Sequence, residues 1–267
     1  MLNVILAAVC YYLFVGSASA QVTGFYLEYY TQYDQNTSAL QTAEFETELY
    51  TEHPNDLTGV SLKTPSGLQD QLQYLQGYFW YFTHINSTLI NLTFLFPNGT
   101  YTLNTTGGSV GAQTFTLSAN GTLPSEQTFT NLQSLANDSP SNPITITFQP
   151  FVADANASKT ALTLDIDGSN GTSYSYQVSS SATQFTLPGG TLAANTSYNL
   201  SLREENEYLV TPPAGDSNFS TSYNVYESNT EATFKTTFLV PEPASWAELV
   251  LGIGVLVVAA RFAQCLR

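Results

Sequence analysis

Charged side chains are scarce in this sequence. Of its 267 residues 10% are Asp, Glu, Lys or Arg, against roughly 25% in soluble domains. Only six are basic against 21 acidic, and the net charge of −15 repels phosphate backbones and anionic lipid, so nucleic acid is not an expected partner. The two histidines, His53 and His84, stand in no metal-binding spacing, and no Gly-x-Ser-x-Gly elbow or phosphate loop occurs. The two cysteines, Cys10 and Cys265, lie at the extreme ends, so the stretch between them has neither disulfide nor thiol chemistry. The expectation is therefore no catalytic residue, no cofactor, no metal and no enzyme. Neighbouring acids such as Glu204 and Glu205 fall on opposite faces of a strand. A secreted glycoside hydrolase, with two carboxylates facing one cleft, stays open as an alternative.

What is present is apolar and polar uncharged. Hydrophobic residues make up 43% and aromatics 13%, enough for real cores. From Gln21 to Val240 short runs alternate apolar or aromatic residues with Thr, Ser, Gln or Asn, the period-two pattern of half-buried strands. In the second half these runs are Ile144 to Phe148, Ala161 to Ile166, Tyr174 to Ser179, Gln184 to Leu187, Ser197 to Leu202 and Ala232 to Val240. In the first half they are Phe25 to Tyr30, Glu44 to Tyr50, Gly59 to Thr64, Gly77 to Ile85, Thr88 to Phe96, Thr100 to Thr105 and Gln113 to Leu117. Leu68 to Gln76 alone suggests a helical turn. Asp138-Ser139-Pro140-Ser141-Asn142-Pro143 has linker composition. The fold class read from this is all-β: two antiparallel β-sandwich domains, residues 21–139 and 143–239, with one larger sandwich as the alternative.

The segments Pro97 to Leu103 and Ala193 to Leu200 both place a turn, a Tyr and a Leu at the same offsets. In sandwich domains a Tyr entering a late strand pins the preceding corner through its hydroxyl. Residues 144–240 resemble a fibronectin type III domain, chiefly through "YSYQVSSSATQFTLPGGTLAANTSYNLSLRE" (Tyr174 to Glu204). The early-strand tryptophan of that family is missing, and Phe148 stands as its substitute. The resemblance implies an Ig/fibronectin III-like sandwich and no particular ligand.

The two ends are different in kind. Val4 to Val15 is an apolar core followed by Ala18-Ser19-Ala20, the small-x-small pattern of a signal peptide over residues 1–20, with Ala18 and Ala20 framing the cleavage site. At the other end Leu249 to Ala260 is uninterruptedly apolar and closes on Arg261 and Arg267. As a helix from Trp246 to Ala260 it spans roughly 22 Å, short of the ~30 Å hydrocarbon core. Such a span suits a temporary tether, with the arginines held on the cytoplasmic side and Trp246 at the opposite interface. Val240-Pro241-Glu242-Pro243, Trp246, the apolar helix and the basic end together resemble the PEP-CTERM sorting signal, over residues 240–267. That resemblance implies recognition of Val240, Pro241, Glu242, Pro243, Trp246 and Arg261 by exosortase. It also implies transient insertion in the inner membrane, and delivery to the cell surface or extracellular matrix of a bacterium that makes exopolysaccharide.

Three further features bear on function. Twelve Asn-x-Ser/Thr triplets run from Asn36 to Asn218. They would be glycan sites in a eukaryotic secreted protein, but the composition generates many by chance. Asp165 to Gly171 gathers Asp165, Asp167 and Asn170 but lacks the further oxygens of a calcium loop, and reads as a hairpin turn. Tyr78 and Trp80 sit in an aromatic run and are candidates for stacking on sugar rings, against core packing. The expected function is an exported, exosortase-processed surface or matrix protein with a structural or adhesive role. Its partners would be exopolysaccharide or other surface proteins, with a carbohydrate-binding module as the alternative.

Overall fold

A computed structural model describes residues 22–54, 56–75, 79–86, 88–210 and 221–237. Both ends of the chain, including Ala18, Ala20 and the segment from Val240 through Trp246 and Arg261, lie outside the described residues, as does Tyr78. Among the described residues no helix is long and apolar enough to cross a membrane.

Fourteen strands and two short helices follow one another in these residues. They are β1 (Val22–Asp34), β2 (Ala39–Thr51), β3 (Gly59–Lys63), β4 (Gln69–Gln71), β5 (Gln73–Tyr74), β6 (Phe79–Asn86), α1 (Leu89–Leu95), β7 (Gly99–Thr106) and β8 (Thr114–Ala119). After these come α2 (Leu132–Leu135), β9 (Ile144–Thr147), β10 (Lys159–Gly168), β11 (Ser173–Val178), β12 (Gln184–Leu187), β13 (Ser197–Leu209) and β14 (Thr221–Lys235). The all-β expectation holds, and every alternating run named above but one contains a strand among the described residues.

The exception is Thr88 to Phe96, which is helical over α1. Thr88 caps it, its side chain accepting the Asn91 N–H at 3.4 Å. Leu92 and Phe96, four apart, are fully buried, while Ile90 and Phe94 are 81% and 76% exposed. Apolar residues on both sides of a helix, together with two Thr and an Ile, make the segment read as a strand. Leu68 to Gln76, conversely, is not a helical turn. It holds β4 and β5, because Leu72 is buried and donates its N–H to Val60 O at 2.9 Å.

The strands form three sheets. The largest runs β11-β10-β13-β14-β1-β2-β6-β5, the second β4-β3-β7-β8, and the third is the pair β12-β9. Every neighbouring pair is antiparallel except β1 and β14, which lie parallel from Gly24↔Thr221 to Asp34↔Glu231. That pairing joins the first strand to the last, so the large sheet contains strands from both sides of the linker-like stretch at 138–143.

Two apolar cores sit on one side of this sheet. Phe25, Leu27, Tyr29, Phe45, Leu49 and Phe82 of the large sheet pack with Val60, Leu62, Tyr101, Leu103, Phe115 and Leu117 of the second. Leu162, Leu164, Ile166, Leu200, Leu202 and Phe234 pack with Ile144, Ile146 and Leu187 of the third. Phe148 is buried in this second core, as are Phe129 and Leu135 from before the linker-like stretch. The long strands β13 and β14 serve both cores. Tyr198 and Phe234 pack in the second, Tyr226 in the first, with Tyr208 packed against it.

Both tyrosine corners form. Tyr101 donates its hydroxyl to Pro97 O at 2.9 Å, and the Tyr198 hydroxyl accepts the Ala193 N–H at 2.7 Å. The Asp165 to Gly171 segment is the β10–β11 hairpin turn. Gly171, at φ 85°, donates to Gly168 O at 2.9 Å, and Asn170 Oδ1 accepts from Thr172 N and Oγ1. A side chain is strained at that φ, so glycine fits there.

Candidate functional site

Alternation along each strand sends half of the large sheet's side chains away from both cores. The register lines these outward residues into rungs across the strands. One rung reads Tyr81, Glu48, Tyr26, Tyr223, Leu209, from β6 through β2, β1 and β14 to β13. The next reads Thr83, Glu46, Glu28, Val225, Glu207, Lys159, and the third Ile85, Glu44, Tyr30, Glu227, Glu205, Ala161. The outcome is a broad face of interleaved tyrosine and glutamate. The sheets and helices that build the two cores all lie on the opposite side.

The tyrosines are held by the acids. Tyr26 donates its hydroxyl to Glu28 Oε2 at 2.7 Å, Tyr81 to Glu46 Oε2 at 3.1 Å, and Tyr50 to Glu48. Tyr30 donates to Gln32 Oε1 at 3.1 Å. In Tyr26, Tyr30 and Tyr50 the partner is two residues away on the same strand, roughly 6.6 Å along it. A side chain that reaches that far along its own strand runs along the sheet and not straight out from it. Tyr223 stands across Tyr26 at 83°, ring centroids 5.1 Å apart.

The acids crowd one another. Glu28 and Glu46 are directly opposite on paired strands, an arrangement that costs stability when both are charged. Burial, and then the hydrogen bond to Glu48 and the charges of Glu28 and Glu48, push the Glu46 carboxyl up to about 8. Burial likewise raises Glu28, and it raises Glu227 to about 8, with Glu28 and Glu205 adding to the shift and Arg203 opposing it. Glu227 is only 8% exposed, and among the described residues its carboxylate accepts no hydrogen bond. The cations on these rungs are few. Lys159 Nζ pairs with Glu207 Oε2 at 3.0 Å, while Arg203, one rung further along, is exposed and makes no ion pair among the described residues.

On the core side of the same strands lies a polar seam between the two cores. Glu204 faces Ser228 across β13 and β14, and Ser228 faces Thr31 across β14 and β1. Glu204, Ser228 and Thr230 are fully buried, and neither Glu204 oxygen nor either hydroxyl has a hydrogen-bond partner among the described residues. Burial raises the Glu204 carboxyl to about 9, Glu126 adding to the shift. Residues 120–128 close part of this seam. Thr122 O accepts from Asn206 Nδ2 at 3.2 Å, and Thr122 N donates to Tyr208 OH at 3.1 Å.

The sequence-based candidates fall elsewhere. Trp80 is 8% exposed and belongs to the first core, beside Tyr74 at 5.4 Å between ring centroids. Glu204 and Glu205 do occupy opposite faces. Asp56 lies between Ser109, which donates to its Oδ1 at 2.7 Å, and His53, whose Nδ1 is 3.6 Å from its Oδ2. Here the serine bonds the carboxylate and not the imidazole, the reverse of a nucleophile–base relay. His84 is on β6, against Phe82 and Phe96. An open groove of about 590 Å³ beside Ser118, Tyr208 and Asn224 has no charged lining residue. Among the sequence triplets, Asn98 spends its amide on Gly121 O at 2.8 Å.

Sequence reasoning missed the tyrosine–glutamate face. The strands "FYLEYY" and "EFETELY" do show Glu and Tyr at every second position, and that was the available signal. Nothing in it says that β14 lies beside β1, which is what assembles the rungs.

No protein-family model matches the chain, and no curated protein matches it. Among solved structures, a two-domain fibronectin type III segment of chicken tenascin is similar over 72% of this chain and 92% of its own length, at 16% identity and a TM-score of 0.27. The FN1-FN3 domains of chicken CNTN1 are similar over 79% of this chain and 67% of their own length, at 12% identity and a TM-score of 0.31. At these TM-scores the likeness carries no argument, and the all-β architecture rests on the strand order described above.

Proposed function

We propose that the chain is an exported, exosortase-processed protein of the cell surface or extracellular matrix, with a structural or adhesive role in association with exopolysaccharide. Its contact surface is the outer face of the large sheet. The observation that supports this most directly is that face itself: tyrosines laid along their strands and interleaved with carboxylates, on the side away from both cores. Aromatic faces and acceptor oxygens are what polyhydroxylated or basic partners bind. The route of export rests on the two chain ends, residues 1–20 and 240–267. A non-enzymatic role is supported by the scattered histidines and by the bond of Ser109 to Asp56 in place of His53.

Mass spectrometry of the protein recovered from the cell surface tests the route. The expected mature form lacks residues 1–20 and the basic end. Recovery of a form that keeps Arg267 and stays in the inner membrane would overturn it. The carbohydrate-binding alternative is favoured by the same outer face, with Tyr26, Tyr30 and Tyr50 in the role first expected of Tyr78 and Trp80.

A further inference from the structure

The outer face carries an unsolved electrostatic problem. Glu28, Glu46 and Glu48 from β1 and β2 meet Glu227 and Glu205 from β14 and β13 on adjoining rungs. Against them stand Lys159, already paired with Glu207, and the exposed Arg203. Glu227 is more than nine-tenths buried and unpartnered, directed onto this face from the middle strand of the sheet. A buried carboxyl without a partner either keeps its proton or receives a cation. Folding brings Arg203 near enough to oppose the shift but forms no ion pair with Glu227 among the described residues.

The tyrosines narrow the kind of cation. Tyr26, Tyr30 and Tyr50 run along their strands on the side away from the cores, a row of aromatic side chains against which flat rings can be laid. A compact metal ion makes no use of them. A basic peptide would engage them through guanidinium or ammonium groups, but it brings no row of rings to set against the three tyrosines. A polymer of linked sugar rings carrying free amines uses both features, since the ring stacks on tyrosine and the ammonium enters among the carboxylates.

We infer that the outer face of the large sheet binds an amine-bearing glycan, its sugar rings stacked on Tyr26, Tyr30 and Tyr50 and its ammonium groups held by Glu28, Glu46 and Glu227. This rests on the reading of that face as the contact surface. Binding draws the carboxyls into their charged form, so protons leave the protein as the glycan arrives.

Calorimetry of the full chain in detergent tests it, with a glucosamine oligomer, the same oligomer fully N-acetylated, and polylysine, in two buffers of different ionisation heat. The glucosamine oligomer is expected to bind with proton release, at least roughly tenfold more tightly than the acetylated one, and more weakly as salt rises. Glu46→Gln combined with Glu227→Gln should raise the melting temperature yet weaken binding, a split that a purely structural role would not produce. Tyr26→Leu with Tyr50→Leu should weaken the sugar and spare polylysine. Equal affinity for the acetylated oligomer overturns the role of the amine. Polylysine binding as tightly as the glucosamine oligomer overturns the sugar in favour of a basic protein partner. If glucosamine fails while these variants still release the protein from the cell surface, the ligand class falls and the contact face stands. If the variants leave surface retention unchanged, the face itself is the wrong surface.

Discussion

The two cores that share the large sheet are built differently. The first is aromatic: Phe45 stacks on Phe96 at 4.2 Å and on Tyr101 at 5.5 Å, and Tyr29 lies parallel to Tyr226 at 4.6 Å. The second leans on aliphatic residues, with Ile144, Ile146, Leu164, Ile166, Leu187, Leu200 and Leu202 at its centre, and its aromatics Phe129, Phe148, Phe151, Tyr198 and Phe234 show one ring pair among themselves, Tyr198 and Phe234 at 5.6 Å. Between them the inward side of β13 and β14 turns polar at Glu204, Asn206, Ser228 and Thr230. Apolar burial therefore stops and restarts along the same two strands, while their backbone ladder continues through from Ser197↔Lys235 to Leu209↔Tyr223. The halves are joined by hydrogen-bonded backbone and not by a common core.

Removing an aromatic ring gives the largest test of that separation. Phe45→Ala should cost about 3–5 kcal/mol. In hydrogen exchange the loss should appear in β1, β2 and β7 and spare β10 and β11. Uniform loss of protection across both cores would mean that the seam transmits packing after all.

The raised acids of the seam and of the outer face are addressed by pH. Glu204 is raised to about 9, and Glu46 and Glu227 to about 8. In each case the folded protein keeps a proton that the unfolded chain gives up in the ordinary carboxylate range. That contribution is whole below the unfolded value and is lost as pH rises through the folded one, so stability should fall between about pH 5 and about pH 9, by a few kcal/mol. Glu204→Gln should remove much of the slope and melt higher than the native chain at the alkaline end. A melting temperature that rises over this interval would show that Glu204 is not a neutral buried acid.

The crossing loop is a smaller lever. A Cβ on Gly121 would meet Tyr226 Cε2 at 2.1 Å and Tyr208 Cε2 at 2.5 Å, both rings held in place. Gly121→Ala should therefore cost about 1–3 kcal/mol, read from a denaturant midpoint. An unchanged midpoint would mean that residues 120–128 do not clamp the junction.

The tyrosine corners sharpen the comparison most finely. The Tyr101 hydroxyl serves Pro97 O and also meets the Tyr29 hydroxyl at 2.6 Å, whereas the only hydrogen bond of the Tyr198 hydroxyl among the described residues is from Ala193 N. Tyr101→Phe should cost about 1–2 kcal/mol and Tyr198→Phe about 1 kcal/mol, by the same denaturant titration. The reverse order would place the greater dependence on the second corner.

These contrasts were unevenly legible beforehand. Strands with apolar residues at every second position, such as Ala161 to Ile166, declared themselves, because one side of each is buried against carbon. The first ten residues of β14 did not. Their inward residues include Ser222, Asn224, Ser228 and Thr230, so burial there leaves no apolar alternation to read. Thr88 to Phe96 misled for the opposite reason, since exposed Ile90 and Phe94 fill in the gaps of a helical pattern. Both corners were legible, because a turn, a Tyr and a Leu at fixed offsets are purely local.

The sequence by itself determined what depends on near neighbours: the strand-forming alternation, the hairpin turn at Asp165 to Gly171, the two tyrosine corners and the strongly acidic charge. Only the tertiary structure decided the parallel pairing of β1 with β14, and with it the single large sheet, the buried Glu204 and the outward rungs of tyrosine and glutamate. The physical reason is range. Alternation and turn chemistry act over a few residues, whereas the β1–β14 ladder joins residues 197 positions apart, such as Gly24 and Thr221, and no local pattern encodes which edge a strand will find.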